Sequence, residues 1–248
     1  PPPSLDALAE RFEAAITPRT RVILLCHMTN LTGQVFPVKR ICDEARRRGI
    51  VTIVDGGHTF AHFPFTIADL GCDVYGSSLH KWLCAPVGNG LLYVRQPLIE
   101  RIWPLMAADP GQDKDIRKFE SIGTYPISLR TALSDALAFH EEIGAERKAE
   151  RLRYLRERWM RAVESVPGVK LLTSFDPAQA CALGAMSLEG VGAQRLTEDL
   201  QRRWRIHVRP RFVANEFECI RVTPNVFTKL DEIDLFIEAV RTLAAERR

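Results

Sequence analysis

The sequence has no apolar run long enough to cross a bilayer and no secretory leader pattern, so no membrane partner is expected. It also lacks paired cysteines. None of Cys26, Cys42, Cys72, Cys84, Cys181 and Cys219 forms a Cys-x-x-Cys motif, and most lie in apolar surroundings. That usage speaks against a disulfide framework and points to reduced, buried thiols, hence to a cytoplasmic location. An excess of one charge is missing too: 34 Lys and Arg against 31 Asp and Glu leave +3. No basic stripe is interleaved with aromatics, so no nucleic-acid partner is expected. The arginine-rich run "ERKAERLRYLRERW" alternates with Glu and reads as a solvated amphipathic helix. There are no internal repeats, and low complexity is confined to the opening "PPPS".

What is present is a rhythm of strands and helices. A helix is expected over 5–15, with Ser4 as its N-cap. "RVILLCHM" and "IVTIVDGGH" read as strands buried on both faces, separated by the amphipathic "PVKRICDEARRRG". A short helical turn "FTIADLGC" follows, then strands "DVYGSS" and "GNGLLYVR". Near-continuous apolar strands alternating with helices predict a mainly parallel α/β sheet. One helix is expected from Ser128 to Ile143 and a long charged one from Ala145 to Val166, closed by Pro167-Gly168. Beyond it, "VKLLT", "ALGAMSLEG", "IHVRPR" and "ECIRVT" read as short strands, with helices over "GAQRLTEDLQRRW" and "KLDEIDLFIEAVRTLAAE". The expected organisation is a larger α/β domain over 1–144, then a linking helix and a smaller α+β domain over 145–248.

Open α/β sheets bind ligands outside the carboxyl ends of their strands. Here Asn30, Asp55 with His58, and Ser77, Ser78, His80 and Lys81 follow three expected strands. A lysine in a partly desolvated pocket becomes a nucleophilic amine suited to Schiff-base chemistry. Pyridoxal phosphate needs such a lysine, together with an acid that keeps its ring nitrogen protonated. Asp55 could supply that charge. Asn30 and His58 could donate to the phenolic oxygen, and Ser78 and His80 could hold the phosphate. Simpler readings exist for the same residues. Lys81 could snorkel at the surface, Asp55 could be a turn residue before two glycines, and His62 reads as structural. His58, His62 and Asp55 have a spacing that would suit a metal, but Gly56, Gly57 and Pro64 oppose the helix this requires, so no metal site is assigned.

"VDGGH", "SSLHKW" and "APVGNGLLYVR", with "CHMTNLTGQVFPV" upstream and "FESIGTYP" and "IRVTPNVFTKLDEID" downstream, resemble the class V aminotransferase superfamily of pyridoxal-phosphate enzymes. Within it the sequence is most similar to isopenicillin N epimerase-like members. The resemblance covers nearly the whole chain. It implies the fold-type I architecture and a chain corresponding to the C-terminal part of a longer protein, without the upstream phosphate loop. It makes Lys81 the Schiff-base lysine and a base, and it pairs Asp55 with the pyridine nitrogen. His58 and Asn30 fall at the phenolic oxygen, and Ser78 and His80 at the phosphate. Thr124 falls on the phosphate of the neighbouring subunit's cofactor, which implies a homodimer with shared sites. Arg209, or failing it Arg221, takes the substrate carboxylate.

The implied activity is chemistry at the Cα of a small-molecule amino acid substrate, of the epimerase kind. A class V aminotransferase or a C–S lyase is the alternative. Cysteine desulfurases in the family carry a nucleophilic cysteine in the loop after the arginine matched by Arg209. Here Ala214 stands about there, and Cys219 falls inside an expected strand, so that activity is disfavoured. A catalytically incomplete piece acting as a dimerisation module is the reading from outside enzymology.

Overall fold

The computed structural model describes residues 1–247, which divide into two compact units. One comprises Asp6–His27 and Pro37–Ile143; the other comprises Pro1–Leu5, Met28–Phe36 and the chain from Gly144 onward. The short excursion 28–36, between two elements of the first unit, thus belongs with the second. No helix among the described residues is long and apolar enough to cross a membrane.

In the first unit α1 (Leu5–Ala15) leads into β1 (Val22–Cys26), α2 (Val38–Arg47), β2 (Val51–Asp55), α3 (Ile67–Leu70), β3 (Val74–Ser78) and β4 (Gly90–Val94). After these come α4 (Gln96–Ile99), a 3-10 turn at Ile116–Glu120, α5 (Ile127–Thr131) and α6 (Leu133–Ile143). The sheet runs β1-β2-β3-β4, with the first three strands parallel and β4 antiparallel to β3. Helix α2 forms because Val38, Ile41, Cys42 and Ala45 recur on one face and are buried there, while Arg46 and Arg47 meet the negative end of its dipole. Helix α3 starts where Thr66 Oγ1 accepts from the Asp69 amide at 3.0 Å and stops at Gly71, whose φ of 66° only glycine adopts freely.

The buried Asp73 fastens three strands together. Its Oδ2 accepts from the Thr52 amide at 2.9 Å, and its Oδ1 takes Arg95 Nε at 2.7 Å. Such charge-assisted bonds satisfy a carboxylate that burial would otherwise penalise.

The expectation that the first two strands are buried on both faces fails. Val22 is 50% and Leu24 71% exposed, and β2 alternates buried with half-buried positions. β1 is an edge strand and lies open on the face that carries Leu24. The helix expected over 128–143 is two, α5 and α6. They are separated at Ala132, whose ψ of −8° departs from helical geometry.

The second unit contains α7 (Ala145–Val163), β5 (Val169–Leu171), β6 (Gly184–Leu188), α8 (Ala193–Trp204), β7 (Arg209–Val213), β8 (Phe217–Val222) and α9 (Leu230–Glu246). Its antiparallel sheet runs β5-β6-β8-β7. One core joins Leu155, Trp159 and Val163 of α7, Leu196 and Leu200 of α8, and Phe236 and Val240 of α9 with Met186, Ile220 and Val222 of the sheet. Helix α7 ends three residues before the expected Val166: the Val166 amide bonds Val163 O at 3.0 Å in a tightened turn ahead of Pro167. Nor is α7 simply solvated. Lys148 and Arg156 are fully buried on its inner face, and burial pulls the Arg156 guanidinium below its ordinary pKa.

Candidate active site

The parallel strands end side by side. In register, Cys26 of β1 lies opposite Asp55 of β2, and Asp55 opposite Gly76 of β3. Past Asp55 the chain turns at once. The Gly56 amide bonds Gly76 O at 2.7 Å, and Gly56 O accepts from the Thr59 and Phe60 amides at 2.9 and 3.1 Å. Two side chains of β3 hold this turn from below: Ser77 Oγ donates to Gly56 O at 3.1 Å, and the buried Tyr75 hydroxyl lies 3.1 Å from Thr59 Oγ1. A Cβ on Gly56 would sit 1.8 Å from the Tyr75 hydroxyl, so no other residue fits there.

Lys81 stands in the turn after β3, where the Ala85 amide bonds Leu79 O at 3.1 Å and the Cys84 amide bonds Lys81 O at 3.3 Å. A Cβ on Gly57 would come within 3.0 Å of both Asp55 Oδ1 and Lys81 Nζ. The carboxylate and the amine therefore flank one bare backbone carbon. Asp55 Oδ1 accepts from the Gly57 amide at 2.8 Å; Oδ2 and Lys81 Nζ make no hydrogen bond or ion pair among the described residues. Cys26 senses the same pair. Burial and the Asp55 charge raise its thiol pKa, and the Lys81 charge opposes them.

The two loops are braced by stacked rings. His62 lies on the indole of Trp82 with centroids 3.7 Å apart and planes 14° from parallel, and its Nδ1 is 2.7 Å from His58 O. Trp82 follows Lys81 directly, so this stack couples the lysine turn to the Asp55–His58 turn. The structural role expected for His62 fits this position. Among the described residues no group of His, Cys, Asp and Glu could hold a metal ion.

His58 is half-buried in the turn after β2. Ser78 ends β3, half-buried and opposite Gly90, and His80 is exposed. The side chains of Ser78 and His80 make no hydrogen bond among the described residues. Thr124 is exposed between the 3-10 turn and α5. Asn30, Arg209 and Arg221 belong to the second unit, where Arg221 Nη1 donates to Asn30 O at 2.9 Å and Arg209 lies directly across the strand pair from Arg221. The stretch read as a strand over "IHVRPR" begins only at Arg209 and continues to Val213. The residues after it therefore form a hairpin turned at Ala214–Glu216, with Asn215 at φ 62°. Cys219 is buried in β8, and burial pushes its thiol up to about 11.

The sequence reading passed over Tyr75, Ser77 as a brace, Trp82 and Arg211. Trp82 was signalled by its place next to Lys81, and Arg211 by strand periodicity, two residues after Arg209. It also passed over His27, buried at the end of β1 with Phe63 and Phe65 edge-on at 5.6 and 4.9 Å. Burial lowers its pKa from 6.5 to about 4. The unfolded chain then binds a proton that the folded chain refuses, so stability falls as pH drops from about 6.5 to about 4. We expect His27→Phe to flatten that acid limb, by roughly 3 kcal/mol at most, in urea denaturation at pH 7 and pH 4.5.

Comparison with known proteins bears on this arrangement. The family model described as aminotransferase class-V matches residues 4–210. Isopenicillin N epimerase of Streptomyces clavuligerus is 31% identical over 94% of this chain and 63% of its own length; that of Amycolatopsis lactamdurans is 30% identical over 97% and 64%. A probable cysteine desulfurase of Mycolicibacterium paratuberculosis is 30% identical over 96% of this chain and 37% of its own. The chain thus spans less than two thirds of the length of these relatives. Among solved structures, the cysteine desulfurase of Thermococcus onnurineus superposes with a TM-score of 0.84 at 19% identity, covering 98% of this chain and 63% of that one. The cysteine desulfurase CsdA of Escherichia coli gives 0.81 at 26% identity, with the same coverage. The fold is the fold-type I architecture.

Proposed function

The chain belongs to the class-V aminotransferase family, and from that premise we propose that it is part of a pyridoxal-phosphate enzyme that works at the Cα of an amino acid, in the manner of isopenicillin N epimerase. The observation that carries this reading is the pair Asp55 and Lys81, a carboxylate whose Oδ1 takes only the Gly57 amide and an amine without a hydrogen bond among the described residues, both beside the bare Cα of Gly57 at the carboxyl ends of parallel strands. A side chain at position 57 would fill the space between them, and glycine keeps it open.

The residues present fit the cofactor. Lys81 would hold its aldehyde carbon and Asp55 its ring nitrogen. His58 and Asn30 would serve the phenolic oxygen, Ser78 and His80 the phosphate, and Thr124 the phosphate of a second subunit in a homodimer. When bound, pyridoxal phosphate supplies the electron sink that lets a proton leave Cα. Asp55, held by the Gly57 amide, would keep the ring nitrogen protonated. Lys81 would also supply the amine that accepts the Cα proton and returns it. The Trp82–His62 stack limits how far the Lys81 turn can shift. Arg209 or Arg221 would fix the substrate carboxylate by a two-pronged contact. The six unbridged cysteines, four of them buried, suit a cytoplasmic enzyme.

Desulfurase relatives make sulfur transfer the second reading. It lacks its nucleophile here: Ala214 occupies the hairpin turn, and the buried Cys219 thiol is held far above the range in which it would ionise. The test is incubation of the full reading frame with pyridoxal phosphate and an amino acid in D₂O. Deuterium at Cα with both enantiomers formed supports the epimerase reading. Accumulation of a keto acid would replace it with a transaminase, and release of sulfide with a desulfurase or C–S lyase.

A further inference from the structure

The second sheet carries an unusual group of positive charges. Arg209 and Arg211 are two residues apart on β7, so their side chains leave the same face, and Arg221 of β8 lies directly opposite Arg209. Ile220 and Val222, which alternate with Arg221, enter the core of α7, α8 and α9 on the other face. Three guanidinium groups therefore crowd one face. Like charges directly across a strand pair are destabilising.

Several arginines elsewhere in the chain meet carboxylates. Arg40 meets Glu13, Arg95 meets Asp73, Arg158 meets Asp234 and Arg203 meets Glu246. Among the described residues none of Arg209, Arg211 and Arg221 has a carboxylate within ion-pair distance. Arg209 is exposed, but Arg211 and Arg221 are not simply dissolved in water. Nε of Arg211 and Nε of Arg221 are both buried without a hydrogen-bond partner. Arg221 spends one prong on Asn30 O, and Arg211 makes only a 3.4 Å contact with Pro210 O. The Arg221 guanidinium is depressed to about 10, first by burial and then by Arg211 and Arg209. Buried donors left unmatched are costly, and planar forks match carboxylates.

A single α-carboxylate satisfies the cross-strand pair Arg209 and Arg221. It leaves Arg211, about 7 Å further along the strand, still unmatched. We propose that this face takes a substrate with two carboxylates: the α-carboxylate on Arg209 and Arg221, and a second one, a short aliphatic spacer away, on Arg211. The substrate class is then a dicarboxylic amino acid, free or in a conjugate, and Arg211 sets that specificity. The assignment rests on the reading of the protein as an enzyme of amino acids.

The probes are glutarate and butyrate, a dicarboxylate and a monocarboxylate of similar length, titrated calorimetrically into the chain without cofactor. Glutarate is expected to bind at least about tenfold more tightly, a difference of about 1.4 kcal/mol. In R211Q that preference should vanish. R19Q, which alters an exposed arginine of the other unit, should keep it and so controls for bulk charge. Equal affinity for the two acids, or an undiminished preference in R211Q, would overturn the proposal. Borohydride trapping of pyridoxal phosphate at Lys81, run in parallel with the two titrations on the unsubstituted chain, separates the two ideas. Trapping without glutarate preference removes the dicarboxylate specificity alone. Glutarate preference without trapping removes the cofactor reading and leaves the anion site standing.

Discussion

Asp55→Asn is expected to abolish most Cα chemistry while leaving the protein folded. The asparagine oxygen can still accept from the Gly57 amide, the side-chain hydrogen bond that Asp55 makes among the described residues, and the Asp55 carbonyl still accepts from the His27 amide, so the loop between β2 and His58 should keep its shape. What disappears is the negative charge that would keep a pyridine nitrogen protonated. Exchange of the Cα proton for deuterium should fall about 10³-fold, within the span that positioned proton-transfer groups contribute. The Lys81 amine should still react with the cofactor aldehyde, because the amine stays where it is. A variant that retains wild-type exchange would show that Asp55 is only a turn residue before two glycines.

Trp159→Ala is expected to have the largest effect on stability. The indole is fully buried in α7 and packs edge-on against Phe236, with centroids 5.5 Å apart. The fit is close: a Cβ added to Gly184 would lie 2.3 Å from Trp159 Cζ2. The ring thus fills the space that a glycine in β6 leaves, and it joins α7, α9 and the second sheet. Removing it leaves a cavity that the flanking helices and strand can close only in part. The expected cost is about 3–5 kcal/mol in urea denaturation. A loss under about 1 kcal/mol would mean that the core collapses onto the gap and that the packing is looser than the geometry indicates.

The sequence carried the strand and helix order because the two periodicities differ so plainly. Leu5–Ala15 and Leu230–Glu246 show helical spacing, and "DVYGSS" and "ECIRVT" are short and rich in strand formers. The antiparallel pairing of β4 was not legible. The run from Leu79 to Asn89 allows either direction, and only tertiary pairing decides it. The exposure of Leu24 was not legible either, since an apolar run reads the same on an edge strand as in the middle of a sheet. The site was legible in its residue types. Asp55, His58, Ser78, His80 and Lys81 all announce themselves by following strands. What holds them was hidden, because Ser77, Tyr75 and His62 act through contacts with Gly56, Thr59 and Trp82 that no local pattern encodes. The arginine face was half visible. Arg209 and Arg221 stood out from the resemblance and Arg211 shares the strand periodicity of Arg209, but that Arg221 lies opposite Arg209 needed the register of β7 on β8.

The central claim is that Lys81 exists to hold an aldehyde, and the most direct measurement addresses that amine. The full reading frame is treated with pyridoxal phosphate, reduced with borohydride, digested and mapped by mass spectrometry. The account predicts close to one label per chain, on Lys81, and none in Lys81→Ala. Labelling spread over exposed lysines such as Lys39 and Lys114, at the same level in Lys81→Ala, would contradict it and return Lys81 to an ordinary surface residue.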